Sequence, residues 1–485
     1  MKKSFVLLSA AAALVMAACT PEILPEETVV PEEKIGLLSG PASFTASFEA
    51  DPATRAVLGL NGDGKPQTFW ENGDAISVYS SNDTDLSSAA GHKFTTTLSA
   101  NSLEATFEWD NEGSIPSGNY LATYPNRTAG RGVNFSVSPY RVAAVDIPKS
   151  QTLVAGTVDR KACPMVAHAS EGSNNLEFKN AAALLKFRVS ESNIVAGRIA
   201  VDAADAISGR FRADVDVTTF IPTLVTYTGQ TYYNYIDFSL NDNTALASGT
   251  DYYVAIRPTE LTSDLKVYLN GNLVKVINKS QFSEIKRNKI YNLGTLTTPA
   301  TPLEKVLFFD FTVDQSSVDP NSSWPTAKGT AATNQAGGLL RPYNLYGVQY
   351  QFTLADCSGA SGQQIFWSHT NTYGHRIVFN AAERYFGTPA IEGYKLVNIT
   401  ATSSRLDNTT ASETLEPKIG IVSNIVASKE TPTYVSGGDL QTWAAGNNHE
   451  AYNYALSGTE GNTVYYLYAK VKGAVQTLTL TYIPI

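Results

Sequence analysis

Residues that could act as nucleophiles or metal ligands are scarce in this chain of 485 residues. Three cysteines and five histidines are present, too few for a disulfide framework or a zinc ribbon. The sequence contains no Cys-x-x-Cys, His-Glu-x-x-His, P-loop or Gly-x-Ser-x-Gly motif. His369 and His375 are six residues apart, a spacing of no standard metal motif. We therefore expect no enzyme activity, no cofactor and no metal site.

Cys19 is the cysteine with a recognisable chemical context. Two lysines near the start precede an apolar stretch over residues 5–18, a pattern typical of a signal peptide and too short to span a membrane. The stretch ends in VMAAC, and small residues directly before a cysteine are similar to a bacterial lipobox. We expect residues 1–18 to be removed and Cys19 to carry acyl chains such as palmitate, which anchor by burying CH₂ groups. The alternative is ordinary cleavage near Ala18, with an incidental cysteine.

The chain is acidic, with 36 Lys and Arg against 45 Asp and Glu, a net charge of −9. Loss of residues 1–18 removes two lysines, so the mature side-chain charge is −9 − 2 = −11. This balance argues against a nucleic-acid partner. Residues 19–40 include TPEILPEETVVPEE, which we interpret as an extended tether that holds a folded body away from the outer membrane.

Composition and periodicity predict an all-β protein. Hydrophobic residues make up 43% of the chain and charged residues only 17%, which suits short strands joined by turns. The segment SFTASF at residues 43–48 alternates with period two, and no window of helical length shows a 3.6-residue stripe. The length suggests about three domains. A Thr- and Pro-rich stretch at residues 295–304 indicates a linker before the last of them.

Short motifs occur in a characteristic order between residues 41 and 300. They are TRAVL (54–58), WENGDAISVY (70–79), YLATYP (120–125), IPKSQ (147–151), PMVA (164–167), LEFKN (176–180), LLKF (184–187), YVAIRP (253–258) and IKRNKIYNL (285–293). This order resembles the fimbrillin-like family, the lipoprotein-derived pilins and minor fimbrial subunits of Gram-negative anaerobes. The resemblance implies tandem fimbrillin-like β-sandwich domains, which we place at residues 41–175 and 176–299. Trp70 is expected in a core, and Gly73-Asp74 in a turn before a buried strand.

The resemblance also implies a mode of assembly. In polymerising members of the family, an arginine-specific protease cuts near the first strands, and a strand from the next subunit fills the freed groove. Arg55 lies at the matching place, so cleavage would fall between Arg55 and Ala56; a solvated turn arginine is the alternative. The donated strand is commonly the C-terminal segment, whereas here residues 303–485 form a further domain. That favours a tip subunit that accepts a strand.

The domain at residues 303–485 is predicted to be a jelly-roll-like β-sandwich that contacts a ligand. It holds 23 of the 50 aromatic residues of the chain, and aromatic faces with nearby amides and carboxylates suit sugars. Trp324, Tyr373 and Trp443 lie in polar, turn-rich stretches and are the candidate ligand-binding residues. A core-packing role is the alternative for each of the three.

These observations predict a lipid-anchored precursor exported to the cell surface. It would act as a minor or tip fimbrial subunit, an adhesin that joins other fimbrial subunits by donor-strand exchange. Its C-terminal domain would bind a carbohydrate or protein ligand of host or bacterial origin. The alternative function is a static surface glycan-binding lipoprotein that serves polysaccharide uptake.

Overall fold

A computed structural model describes most of the chain from residue 39 onward, and the following account is confined to that part. The described residues are 39–49, 59–60, 66–67, 69–86, 91–127, 132–202, 205–280, 282–313, 339–356, 365–368, 376–379, 382–403, 416–426, 432–443 and 450–485. The predicted all-β class is confirmed, because every regular element described is a strand except one 3₁₀ turn at Arg160–Ala162. No helix in these ranges is long and apolar enough to cross a membrane.

Within the described residues, the first part of the chain contains twelve strands, and seven of them form a closed barrel. Its strands are β1 (Ser43–Phe48), β2 (Gly59–Leu60), β3 (Pro66–Gln67), β4 (Ala75–Ser80), β5 (His92–Thr96), β6 (Ala105–Trp109), β7 (Tyr120–Tyr124), β8 (Val133–Asn134), β9 (Tyr140–Ile147), β10 (Ser150–Thr152), β11 (Met165–Ala169) and β12 (Asn175–Asn180). The barrel runs in the order β1-β12-β11-β7-β4-β5-β6. Trp70 lies in its core with 1% of its surface exposed, as predicted. Gly73, with φ of +83°, forms the predicted turn before β4.

The second part forms several smaller sheets around two cores. Its strands are β13 (Ala183–Val189), β14 (Ala196–Ala200), β15 (Ser208–Val215), β16 (Pro222–Val225), β17 (Tyr232–Tyr233), β18 (Tyr235–Ser239), β19 (Tyr252–Ile256), β20 (Thr259–Glu260), β21 (Leu265–Leu269), β22 (Asn272–Ile277), β23 (Glu284–Ile285) and β24 (Ile290–Leu296). One sheet has the order β19-β13-β24, and another runs β16-β15-β9-β8.

Strand pairing crosses the domain boundary predicted at residue 175. The chain leaves the barrel after β12 and enters the next sheet at β13, so the change of sheet falls at residues 181–182. However, β9 pairs with β15 and β10 pairs with β18. Val142 and Phe211, from these two sides of the boundary, share one hydrophobic core with Leu121 of the barrel. The two parts therefore share strand pairing and a hydrophobic core.

The third part packs two sheets over one large core. Its strands are β25 (Lys305–Asp310), β26 (Leu339–Leu345), β27 (Val348–Asp356), β28 (Ile365–Ser368), β29 (Arg376–Phe379), β30 (Arg384–Gly387), β31 (Tyr394–Ser403), β32 (Lys418–Val422), β33 (Gln441–Thr442), β34 (Ala451–Ala455), β35 (Tyr466–Ala469) and β36 (Gly473–Pro484). One sheet runs β26-β27-β30-β35-β32-β33. The other contains β25, β36, β29 and β28, with β31 and β34 beside them.

The segment predicted as a linker leads directly into a shared sheet. Strand β22 of the second part pairs with β25 of the third, through Asn272 and Lys305. The backbone N–H of Leu273 donates to the Glu304 carbonyl at 2.9 Å, and the Tyr394 hydroxyl donates to the Pro302 carbonyl at 3.0 Å. An 11-stranded sheet thus runs from β10 of the first part, through the second part, to β28 of the third.

Candidate strand-acceptor site

Strand β1 lies in the barrel wall between β6 and β12, and these two neighbours run in opposite directions. It pairs antiparallel with β6, where Phe44 faces Phe107. It pairs parallel with β12, where Phe48 faces Phe178. Both of its backbone edges are therefore satisfied by neighbouring strands, and removal of β1 alone would open two edges at once.

The inward side chains of β1 complete the aromatic core of the barrel. Phe44 and Ala46 are fully buried, as the period-two alternation of SFTASF predicts. The Phe44 ring lies 5.2 Å from that of Phe94 and 5.1 Å from that of Tyr120, edge-on in both cases. Burial of one such phenylalanine stabilises a fold by about 1.5–3 kcal/mol. A replacement strand would need an apolar side chain at the same place.

Trp70 contacts both the backbone and a side chain of β1. Its Nε1 donates to the Ala46 carbonyl at 3.0 Å, and its ring stacks on Phe48 with centroids 4.4 Å apart. Phe107 and Phe178, which lie opposite β1 residues in the neighbouring strands, meet the indole edge-on. Without a strand in this position the buried indole N–H would lose its acceptor, which is costly. Any strand that fills the position presents a backbone carbonyl and restores that hydrogen bond.

An ion pair fixes the end of β1 to the second part of the protein. Glu49 accepts from Arg287 through both carboxylate oxygens, at 2.7 and 2.9 Å, and the two side chains are 13% and 20% exposed. The Asn180 backbone N–H donates to the same carboxylate at 2.9 Å. Arg287 also donates to the Asn180 carbonyl at 2.7 Å. The motif at residues 285–293 thus holds β1 in place.

The start of β1 is held by close backbone packing. The Gly40 N–H donates to the Ile115 carbonyl at 2.8 Å. A Cβ at Gly40 would lie 2.6 Å from that carbonyl oxygen and from the Tyr120 hydroxyl, closer than real contacts allow. Only glycine fits here, so the path of the chain into β1 is sterically fixed.

A polar cluster closes the barrel beside the aromatic core. The Tyr124 hydroxyl donates to Asp74 at 3.0 Å, and Arg160 donates to the same carboxylate oxygen at 2.7 Å. Burial, with Asp74 as a second cause, raises the pKa of Tyr124 well above its ordinary value, so the hydroxyl remains a donor. The cluster involves no residue of β1, and it would survive an exchange of that strand.

Most residues predicted from the sequence to be functional lie outside the described part of the chain. These are Cys19, Arg55, Ala56, Trp324 and Tyr373. Within the described residues, no group of three or more His, Cys, Asp or Glu side chains is placed to hold a metal ion.

Trp443, the remaining candidate, is part of the core of the third body. Its side chain has no exposed surface. Its ring stacks on Tyr452 at 4.6 Å, and its Nε1 donates to the Tyr454 hydroxyl at 3.1 Å. This corrects the ligand-binding assignment of Trp443 in favour of the core-packing alternative. The apparent loop is packed against the protein before it reaches Trp443: Gly437, with φ of +81°, lies so close to the Ala455 backbone that no side chain fits.

Glu49 and Arg287 were not singled out by the sequence. Arg287 belongs to the motif at residues 285–293, for which the sequence predicts no site, and Glu49 follows β1 without any distinguishing neighbour. The two are 238 residues apart, and charge patterns in sequence report only local pairs.

Three solved structures similar to this chain are described as a "putative cell adhesion protein". The one from Bacteroides uniformis ATCC 8492 is 15% identical with a TM-score of 0.31, over 47% of this chain and 88% of that chain. Those from Bacteroides thetaiotaomicron VPI-5482 and Bacteroides eggerthii DSM 20697 are each 12% identical with a TM-score of 0.25; they cover 52% and 53% of this chain, and 92% and 87% of their own. No family model and no curated protein matches the sequence. Values this low do not assign a function to this chain.

Proposed function

We propose that this protein is a cell-surface adhesive subunit of a fimbrium that exchanges β1 for a strand donated by another subunit. The observation that supports the proposal is the position of β1 relative to Arg55. Strand β1 (Ser43–Phe48) is a complete strand of the barrel wall, and Arg55 follows its last residue by seven positions. One cut after Arg55 would leave β1 bound only by non-covalent contacts. The groove left by its release would have two open edges and an aromatic floor.

The third part of the protein makes this chain unsuited to a position in the shaft of a fimbrium. Its strand β36 pairs with β31 along one edge, and with β29 and then β25 along the other. Donation of β36 would break the central strand of that sheet and expose Leu478 and Leu480, which are fully buried. The protein therefore accepts a strand and donates none from this part. We propose a tip or minor position, with residues 303–485 presented outward.

The proposal includes the lipid anchor at Cys19 and an outer-membrane location for the precursor. The VMAAC sequence and the acidic tether at residues 19–40 support this part. Processing after Arg55 would remove the anchor together with β1. A single cleavage would then both release the protein from the membrane and prepare it for assembly.

Digestion with an arginine-specific protease tests the proposal. We expect one early cut in the native protein, with Ala56 as the new N-terminus, and no such cut in the Arg55→Gln variant. The fragment that carries β1 should remain bound until a competing strand peptide is added. Arg210 is the control position: it forms a salt bridge with Asp146 at 2.7 Å within the described sheet, and it should resist digestion under the same conditions.

The alternative, a static glycan-binding lipoprotein, predicts a different product in cells. The mature protein would keep acylated Cys19 and an intact residue 55. Sequencing the N-terminus of the protein recovered from cells distinguishes the two. If the cell-derived protein starts only at Cys19 and the native protein resists the protease at Arg55, the fimbrial proposal fails.

A further inference from the structure

A cleft of about 730 Å³ lies between the second part and the third part of the protein. One wall comes from β14, β18 and the turn after β18, and it contributes Asp237, Asp242 and Asn243. The other wall comes from β25 and the hairpin of β26 and β27; its residues at the cleft include Phe308 and Asn344. The volume falls within the range typical of small-molecule sites.

The hairpin that forms one wall is fixed by its turn. Tyr346 and Gly347, between β26 and β27, have φ of +57° and +77°, the left-handed pair that a tight two-residue hairpin requires. Three residues before the turn, the Tyr343 hydroxyl donates to the Asp310 carbonyl at 3.0 Å and accepts from the Asp310 N–H at 3.1 Å. The hairpin is thereby tied to β25, so Asn344 and Tyr346 have defined positions at the cleft.

Arg198 connects the two walls behind the cleft. It forms two hydrogen bonds with Asp237, at 2.6 and 3.0 Å. Its guanidinium also lies over the Tyr235 ring at 4.3 Å and over the Phe308 ring at 5.2 Å. Such cation–π contacts hold an aromatic ring in a fixed orientation. The Phe308 ring is half-buried and is therefore positioned before any ligand arrives.

The charge of the walls limits which ligands can bind. The described residues that line the cleft include Asp237, Asp242 and Asp310 and no lysine, arginine or histidine. Asp237 is balanced by Arg198, but the other two carboxylates leave the cleft acidic. Sialylated, sulfated or phosphorylated ligands would be repelled.

The same walls offer the groups that bind sugar hydroxyls. Carboxylates accept hydrogen bonds, and the side-chain amides of Asn243 and Asn344 both donate and accept. Aromatic rings pack on the apolar face of a pyranose, and Phe308 and Tyr346 supply such rings. We propose that this cleft is the adhesive site and that it binds a short neutral oligosaccharide. The proposal rests on the proposed adhesive function and names its ligand class.

Binding to an array of neutral oligosaccharides, displayed beside their sialylated and sulfated counterparts, tests the proposal on the full mature chain. We expect neutral glycans to bind and the anionic counterparts not to bind. Phe308→Leu, which removes the ring and keeps the bulk, and Asn344→Ala should each weaken binding about tenfold. Phe308→Tyr keeps a ring and should retain binding.

Gln349→Ala is the matched control. Gln349 faces Asn344 across the same hairpin, carries the same amide group and does not line the cleft. Its substitution should leave binding unchanged, and thermal unfolding should show that all four variants are folded. Absence of binding to any glycan, preference for anionic glycans, or equal binding by Phe308→Leu and the wild type would each overturn the proposal. None of these results bears on cleavage at Arg55, so the fimbrial proposal is judged separately.

Discussion

Trp443 belongs to a segment whose sequence is typical of a surface loop. Gly437 and Gly438 precede it, and polar residues surround it, yet its ring is enclosed and stacked on Tyr452. Its N–H donates to Tyr454, whose hydroxyl in turn donates to the Ile419 carbonyl at 2.7 Å. Such a chain of buried hydrogen bonds stabilises the core only while each member is present.

Substitution of Trp443 should therefore reduce stability rather than ligand binding. We expect Trp443→Ala to lower the free energy of unfolding of the third body by about 3–5 kcal/mol, the usual cost of truncating a buried aromatic side chain. Trp443→Phe keeps the stacking on Tyr452 but loses the N–H, and it should cost less. Denaturant unfolding followed by circular dichroism measures both. A stable Trp443→Ala variant with weakened glycan binding would contradict this assignment.

His168 gives the barrel a dependence on pH. Its ring stacks on Phe220 with centroids 3.9 Å apart and on Tyr140 at 5.9 Å. Burial lowers the pKa of His168 below its ordinary value of 6.5. The folded state then holds the neutral imidazole while the unfolded chain takes up a proton, so stability falls as the pH drops below about 6.5.

The variant His168→Phe isolates this effect, because phenylalanine can stack but cannot titrate. We expect the free energy of unfolding of the wild type, relative to the variant, to decrease between pH 7.5 and pH 5. The measurement is denaturant unfolding of both proteins across that range. Parallel stability curves for the two proteins would show that protonation of His168 is not linked to folding.

At the scale of elements, β1 is held at both ends and along both edges. Gly40 fixes its start, Trp70 binds its backbone, and Glu49 with Arg287 fixes its end. The apolar contacts and the strand hydrogen bonds could be supplied by another strand of similar pattern. The Glu49 ion pair depends on a side chain, so a donated strand would restore it only with an acidic residue at the same place.

Loss of the Glu49 carboxylate should loosen β1 without unfolding the barrel. In Glu49→Ala we expect faster amide hydrogen exchange in residues 43–49, because Arg287 loses the two bonds that it makes to this side chain. Asp110→Ala removes the more exposed salt bridge between Lys93 and Asp110 and is the control, since such pairs contribute little. Equal exchange rates for β1 in wild type and Glu49→Ala would show that the ion pair does not retain the strand.

At the scale of the molecule, the three parts are joined by more than the chain. The barrel and the second part share a core that includes Leu121 and Phe211. The second and third parts share a sheet through β22 and β25. Arg198 lies against Phe308 of the third part, and the Tyr268 hydroxyl donates to Glu304 just before β25. These contacts hold both walls of the cleft in a fixed relative position.

We expect the second and third parts to unfold together. The double variant Arg198→Ala, Glu304→Ala removes two side-chain contacts between them and leaves both cores intact. Differential scanning calorimetry should then resolve two transitions where the wild type shows one. Two well-separated transitions in the wild type itself would contradict the coupling.

The sequence by itself determined the all-β class, the burial of Trp70, the turn at Gly73 and the alternation of β1. Each depends on neighbours within a few residues, where strand periodicity and turn chemistry act. The change of sheet after the barrel falls at residues 181–182. The sequence did not reveal that β9 and β10 pair beyond that point, since pairing between distant strands leaves no local pattern.

Only the tertiary structure decided how distant residues meet. It paired Glu49 with Arg287, enclosed Trp443 and brought Asn344 opposite Asp237 across a cleft. In each case the partners come from strands far apart in the chain, and their contact depends on the order of strands in a sheet. A local pattern states which face of a strand is buried. What that face lies against is fixed by the neighbouring strands, and for this reason the cleft could not have been found from the sequence.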